Sequence, residues 1–365
     1  MALTYAQIAP AQLLQNMAHD PVPGGEQGFI ADQLFDAAST LDTGGLQTGT
    51  LRTLSAREKL QAGMEGLTTG LANGARRNRI QSFASGTVPW ATQRIGHQKD
   101  DAVGDVPNLY NQGITSAAEA ARQRNYEVQR AELIRMAMTR KKEFMAARYM
   151  FGTDLAGTGL GFTNANTTTA GAALFGGALL SVSTSPAYEM ITAVADAVQD
   201  STEGYGDLTM VIGQAMARSL SRNRQILGIS DNTIATANGT ATSAIASPVR
   251  INENLLINRL LGIGNISRVI IASARAEFSL TGTATATNFI MPNAFHIAKM
   301  GNAMPTMGTN GLVELKATAG MKFLARENPV TQKFNDDDTV LQWYADAWLD
   351  YVMVDANYGF SMFDA

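Results

Sequence analysis

Cysteine is absent from the 365 residues, which excludes disulfides, zinc ribbons, iron–sulfur clusters and thiol nucleophiles. Histidine is scarce. His19, His97 and His296 are the only three and none lies near another, so a histidine-based metal site or triad would need very distant segments. Charge is scarce too: Asp, Glu, Lys and Arg make up 16% of the chain, well below the roughly 25% of soluble domains. With 45% hydrophobic residues, such a surface is expected to be covered, which favours a subunit that buries its outside against copies of itself. A basic excess is also missing. The 28 Lys plus Arg against 32 Asp plus Glu give a net charge of -4, which argues against a dedicated nucleic-acid binder and suits a near-neutral wall along which nucleic acid can slide.

Long apolar runs are missing as well. Leu155 to Tyr188 carries no charge, yet Gly, Thr, Asn and Ser interrupt it too often for a transmembrane helix. Met1 to Asp20 has no Lys, no Arg and no unbroken apolar core, so neither a secretory signal nor a transit peptide is expected. These absences lead us to expect a soluble, membrane-free protein made in a reducing cytoplasm.

The opening stretch has a short apolar pattern, Ile8, Leu13, Leu14 and Met17, then a break from Pro21 to Gly25, and reads as an arm. Phe29, Ile30, Leu34 and Phe35 around Asp32 make a small amphipathic docking element. From Asp42 to Asp105 glycine recurs and apolar runs stay short, which predicts an extended loop reaching away from its own subunit. Ile114 to Phe151 contains neither Gly nor Pro and is rich in helix formers. It predicts a single helix about 57 Å long at a rise of ~1.5 Å per residue. Ile134, Met138, Met145 and Tyr149, with Ala137, Phe144 and Phe151, mark its apolar stripe. Arg135, Arg140, Lys141, Lys142 and Arg148 are placed on the opposite face, partly balanced by Glu132 and Glu143; they read either as a phosphate- or partner-binding face or as the solvated side.

Thr158 to Ser185 is expected to form a hairpin or surface loop, followed by a helix with Ser185 as N-cap and Pro186 at its first position. Leu208 to Ile212 reads as a buried strand, turned at Gly213 into a helix Gln214 to Ile226, and Val269 to Ala272 as a second core strand. Asn232 to Ser247 predicts an exposed loop, and Asn288 to Leu315 irregular strands. Thr339 to Trp348, Tyr351 to Val354 and Phe360 to Phe363 are β-branched and aromatic and are expected to pair as an antiparallel ribbon.

Signals for chemistry are weak. Gly157 to Gly161 follows a helix rather than a strand and lacks a succeeding Gly-Lys-Ser/Thr, and Gly262-Ile263-Gly264 fails as a phosphate loop for the same reason. Asp336, Asp337 and Asp338 lack the ligand spacing of a calcium loop and read as a solvated turn. No catalytic residue, cofactor site or metal site is assigned.

The order of these elements resembles the tailed-bacteriophage major capsid family, whose fold is Hong Kong 97-like, an α+β architecture. Ser185-Pro186-Ala187-Tyr188, Gly206 to Gly213, then Ala217, Leu220 and Asn223 are similar to that family's second helix and axial strand–helix, and Asp350 to Ala365 to its closing strands. The resemblance implies an N-terminal arm and docking element at 1–41 and an extended loop at 42–105. It implies a peripheral domain with spine helix and hairpin at 106–203, an axial domain at 204–318 and closing peripheral strands at 319–365. It further implies a virion shell protein without enzymatic activity or cofactor, forming pentamers and hexamers around double-stranded DNA in a bacterial cytoplasm. A separate scaffolding protein, a portal and a decoration protein are the expected partners. Some members of the family are cross-linked between a loop lysine and a neighbour's asparagine, for which Lys59 and Asn357 are the candidates here. Two other readings stay open: an encapsulin-type nanocompartment shell of the same fold, and a cytoplasmic enzyme with carboxylate chemistry.

Overall fold

The computed structural model describes residues 29–36, 39–53, 86–102, 117–151, 167–170, 180–202, 207–227, 251–276, 288–289, 291, 293–300, 306–307, 313–314, 319–334, 340–354 and 358–364. The short helix α1 (Ile30–Leu34) buries Ile30, Ala31 and Leu34 and leaves Asp32 exposed, the alternation expected of an amphipathic turn. Strands β1 (Thr40–Asp42) and β2 (Thr48–Thr53) flank a turn where Gly44 and Gly45 hold φ of 62° and 90°, and where Asp42 Oδ1 accepts from Gly44 N–H at 2.8 Å. This left-handed backbone is what glycine tolerates and other residues resist. Strands β3 (Gly86–Ala91) and β4 (Gln93–Ala102) come next, then the 35-residue helix α2 (Ala117–Phe151), which matches the long helical pattern.

The second half opens with β5 (Thr167–Ala170) and the helix α3 (Ala187–Thr202). Strand β6 (Leu208–Gly213), helices α4 (Gln214–Leu220), α5 (Arg224–Leu227) and α6 (Glu253–Leu260), and strand β7 (Ile266–Ala272) follow. Strands β8 (Ala294–Ala298), β9 (Gly320–Glu327), β10 (Thr331–Phe334), β11 (Val340–Met353) and β12 (Gly359–Asp364) complete the two main sheets.

The 14-residue strand β11 is the axis of sheet one. Along one edge β4 pairs with it antiparallel from Gln93↔Leu349 to Ala102↔Val340; along the other lie β10 and β9, with β1 parallel outside β9. Alternate residues of β11 from Leu341 to Tyr351 are buried, the period of two that a half-covered strand requires. They pack with Ile134, Met138 and Met145 of α2 and with Ile95 of β4. Sheet two runs β5-β12-β8-β6-β7, with β6 and β7 parallel and β8 antiparallel to both neighbours. Every residue of β6 and β8 is buried, because helices α3, α4 and α6 cover one face while Val211, Ile270, Ala272 and Ala294 join the sheet-one cluster on the other. Ile30, Ala31, Leu34 and Phe35 belong to that same cluster, so α1 sits where the two sheets meet, with the Phe35 and Tyr351 rings 4.7 Å apart.

Several expectations are corrected. The terminal ribbon does not exist as one unit: 340–353 is a single strand of sheet one, whereas β12 leaves for sheet two and pairs with β8 and β5. Asp364 fixes that departure by accepting from the Leu180 and Ser181 N–H groups, each at 2.9 Å. The helix expected at 214–226 breaks after Leu220, because the buried Asn223 turns its amide onto Ser185 O at 2.9 Å and takes the Gln225 N–H on its Oδ1 at 3.0 Å. Ser185 is no N-cap. Its hydroxyl donates to Val182 O at 2.7 Å, and the Tyr188 N–H is met by Gln225 Oε1. The end of the expected surface loop at 158–185 is not exposed throughout, since Leu180 is fully buried. Gly264 of the glycine pair lies against α3, where an added Cβ would come 2.5 Å from the Ala195 Cβ, so close packing accounts for it. The acidic triplet at 336–338 and the loop at 232–247 lie outside the described residues.

Candidate assembly site

Three contacts tie the N-terminal third of the chain to the body. At the first, Glu143 of α2 reaches α1, its Oε1 accepting from Ile30 N–H at 3.0 Å and its Oε2 from Ala31 N–H at 2.9 Å. A five-residue helix leaves its first N–H groups without partners of their own, and this carboxyl supplies them. Glu143 is completely buried, and burial pushes its carboxyl up to about 8; the two N–H donors oppose that shift and nearby Asp32 adds to it. Sequence reading set Glu143 on the solvated face. Thr139, Ala146 and Ala147 around it form a second buried sector of α2, and this run of small residues was the legible signal.

The second contact is the base of a ribbon. Strands β2 and β3 pair antiparallel from Thr48↔Ala91 to Thr53↔Gly86. Trp90 lies across Gly49, whose hypothetical Cβ would fall 2.5 Å from the Trp90 ring, and stacks on Phe323 of β9 at 5.0 Å and 17°. Only glycine leaves room for that approach. Leu41, Met321, Val352 and Val354 complete this small cluster on the face of sheet one away from α2.

The third is a polar tether. Asp101 of β4 is 7% exposed and accepts from the Tyr126 hydroxyl at 2.6 Å and the Arg130 Nε–H at 2.7 Å, both on α2. Arg130 also lies 5.0 Å from the Tyr126 ring centroid, and burial together with the Asp101 carboxylate raises the Tyr126 hydroxyl. Within the range expected as an extended loop, 93–102 is an edge strand of sheet one. Its sequence hid this, because Ile95 and Asp101 are the only buried residues of a strand held by backbone pairing.

The five predicted basic residues do not share a face. Lys142 turns inward and pairs with Glu327 of β9, Arg140 and Lys141 are exposed, and Arg135 is half-buried. At about 100° per residue, positions 135 and 142 fall on nearly the opposite side of α2 from 140. The Arg148 side chain, Lys59 and Asn357 lie outside the described residues. His97 sits on β4 and His296 on β8, in different sheets, and His19 is not among the described residues. Burial holds His296 down to about 4, and its Nδ1 meets Ser361 Oγ at 2.7 Å.

These contacts define a class: an α+β framework in which a long helix and two sheets anchor an N-terminal element and a two-stranded ribbon. The fold is shared with a phage-related protein from Bordetella bronchiseptica RB50, at a TM-score of 0.56 and 11% identity over 97% of this chain and 96% of that one. Chains from Mycobacterium phage Ogopogo (TM-score 0.47, 12% identity, 94% of each chain) and from the capsid of Cyanophage P-SCSP1u (0.44, 9%, 95% and 91%) are similar to a lesser degree. No family model and no curated protein matches the sequence.

Proposed function

We propose that this chain is the major capsid protein of a tailed bacteriophage, a non-enzymatic shell subunit of Hong Kong 97-like fold. The observation that carries the reading is the fold shared with a phage-related protein along almost the full length of both chains. In this reading α2 is the spine and sheet one the peripheral domain. Sheet two with α3, α4 and α6 is the axial domain, which moves α3 and β12 out of the peripheral ranges drawn from sequence. Pentamers and hexamers form through these two bodies around double-stranded DNA. The ribbon of β2 and β3 lies within the extended loop proposed to lace neighbours together, and many weak interwoven contacts together give a stability no single interface has. Of the five basic residues predicted to share one face of α2, Arg140 and Lys141 are the ones exposed among the described residues and free to face phosphate. A separate scaffolding protein and a portal complete the assembly.

The test is electron microscopy of the expressed chain, alone and co-expressed with a candidate scaffolding protein. Closed icosahedral particles are expected. Replacing 54–85 by a short Gly-Ser turn should leave folded subunits that do not close shells. A wild-type chain that stays a species of a few subunits under every assembly condition overturns the proposal.

A further inference from the structure

Glu143 lies where α1, α2, sheet one and sheet two converge, and nothing in the shell reading uses it. Both of its oxygens are taken by backbone N–H donors, and among the described residues no Lys or Arg pairs with it. The ionisable groups around it come from every packed element. Asp32 belongs to α1, and Lys142, engaged by Glu327, to α2 itself. Lys322 and Glu327 belong to β9, Tyr351 and Asp350 to β11, while β7 turns only Ile270 and Ala272 into this cluster. The enclosing wall is otherwise Ile30, Ala31, Ala146 and Ala147, all within 2% of full burial.

We propose that Glu143 is a proton-coupled latch on the N-terminal element: seating α1 takes up a proton at this carboxyl, so falling pH tightens the seat and rising pH loosens it. The geometry gives the reason. Seated, the carboxyl is cut off from water, has Asp32 nearby and has only neutral donors, a setting that disfavours a bare charge. Unseated, it meets water on the flank of α2 and titrates as an ordinary carboxyl. A neutral carboxyl still serves α1, because its carbonyl oxygen and a hydroxyl lone pair can each accept an N–H. The sign follows from linkage. The seated group titrates near 8 and the ordinary carboxyl near 4.5, so between these values the seated state holds the proton the unseated state gives up. The seating constant therefore falls by up to about tenfold per pH unit and levels off above that window. Since α1 packs in the cluster where the two sheets meet, the latch governs how firmly α1 is held to the body. It belongs to the single chain and stands whether or not the shell reading does.

The test is amide hydrogen exchange by mass spectrometry on the full-length chain from pH 5.5 to 9, following the Phe29–Phe35 peptide and dividing each rate by the intrinsic rate at that pH. The opening constant should rise with pH by up to about tenfold per unit and flatten near pH 8. Glu143→Gln should show no pH dependence. Asp32→Asn, at an exposed position, should move the flattening to lower pH, and it keeps the proposal testable if Glu143→Gln fails to fold. A wild-type opening constant independent of pH overturns the latch. So does a pH dependence that survives Glu143→Gln but vanishes in Lys322→Met, or an Asp32→Asn profile that does not move.

Discussion

Each half of the molecule encloses a fully buried side chain that burial forces toward its neutral form, a carboxyl in one and an imidazole in the other, so the two shifts have opposite signs. Around sheet one burial raises Glu143 to about 8; within sheet two burial lowers His296 to about 4. Both are neutral near pH 6, so leaving that pH in either direction strains a different half of the molecule. The halves also differ in how the chain builds them. Apart from β12 and β5, sheet two and its helices come from one stretch, 187–298, whereas sheet one gathers β1, β4 and α1 from the N-terminal region onto strands near the C-terminus. A locally built half can rely on continuous apolar strands. A half assembled from distant segments is fastened by single polar contacts, and its weaknesses should be discrete and separable.

The largest effect is expected from emptying the apolar half. Phe295 is fully buried at the centre of sheet two, and Phe295→Ala should cost roughly 3–5 kcal/mol, the range for removing a buried aromatic. Denaturant unfolding measures the loss, and exchange should show it first in 208–213 and 266–272. Equal deprotection of 340–353 at low denaturant would mean that the two halves open as one and would erase the comparison.

Next come the two pH limbs, roughly 3–5 kcal/mol each for shifts of this size in fully buried groups. For His296 the folded value is below the ordinary 6.5, so the unfolded chain binds more protons between 4 and 6.5 and stability falls as pH drops through that window. For Glu143 the folded value lies above 4.5, so stability falls as pH rises toward 8. Stability measured from pH 4 to 9 should show His296→Gln flattening the acid limb alone and Glu143→Gln the alkaline limb alone. One variant flattening both limbs would show that the two groups are coupled.

A smaller effect isolates the polar fastening. Asp101→Asn keeps the shape but weakens the bonds from Tyr126 and Arg130, at a cost of roughly 1–3 kcal/mol for hydrogen bonds to a charged group. Exchange should rise along β4 while β11 stays protected by β9 and β10 on its other edge. Unchanged β4 exchange would leave backbone pairing alone as what holds this strand.

Legibility in the sequence followed the same division. The long helix, β6, β7 and α3 declared themselves through period and punctuation, because each buries a continuous face of its own. Strand β4, Gln-Arg-Ile-Gly-His-Gln-Lys-Asp-Asp-Ala, could not, since what makes it a strand is the edge of β11 some 240 residues later. The departure of β12 to sheet two was illegible for the same reason: Phe360 to Phe363 suits either sheet, and the deciding contacts are Asp364 with the N–H groups of residues 180 and 181. Glu143 shows the limit for sites. A carboxylate on a helix rich in Arg and Lys reads as surface charge, and only the arrival of α1 from more than a hundred residues upstream turns it into a buried acceptor.

The smallest effect tests whether every polar contact of the assembled half matters equally. Lys142 and Glu327 join α2 to β9 as Asp101 and Arg130 join β4 to α2, but Glu327 is 38% exposed where Asp101 is 7%. An ion pair with one end in water gains little over its hydrated partners, so Lys142→Met should cost under about 1 kcal/mol and lose most of that difference at high salt. Arg140→Gln and Lys141→Gln, both exposed, should not move stability measurably, which frees them to be scored for nucleic-acid retention alone. If Lys142→Met instead destabilised the chain as much as Asp101→Asn, burial would not be what ranks these fastenings. The hold of sheet one on its distant segments would then lie in the α2–β9 crossing, beside the seat of α1, rather than along β4.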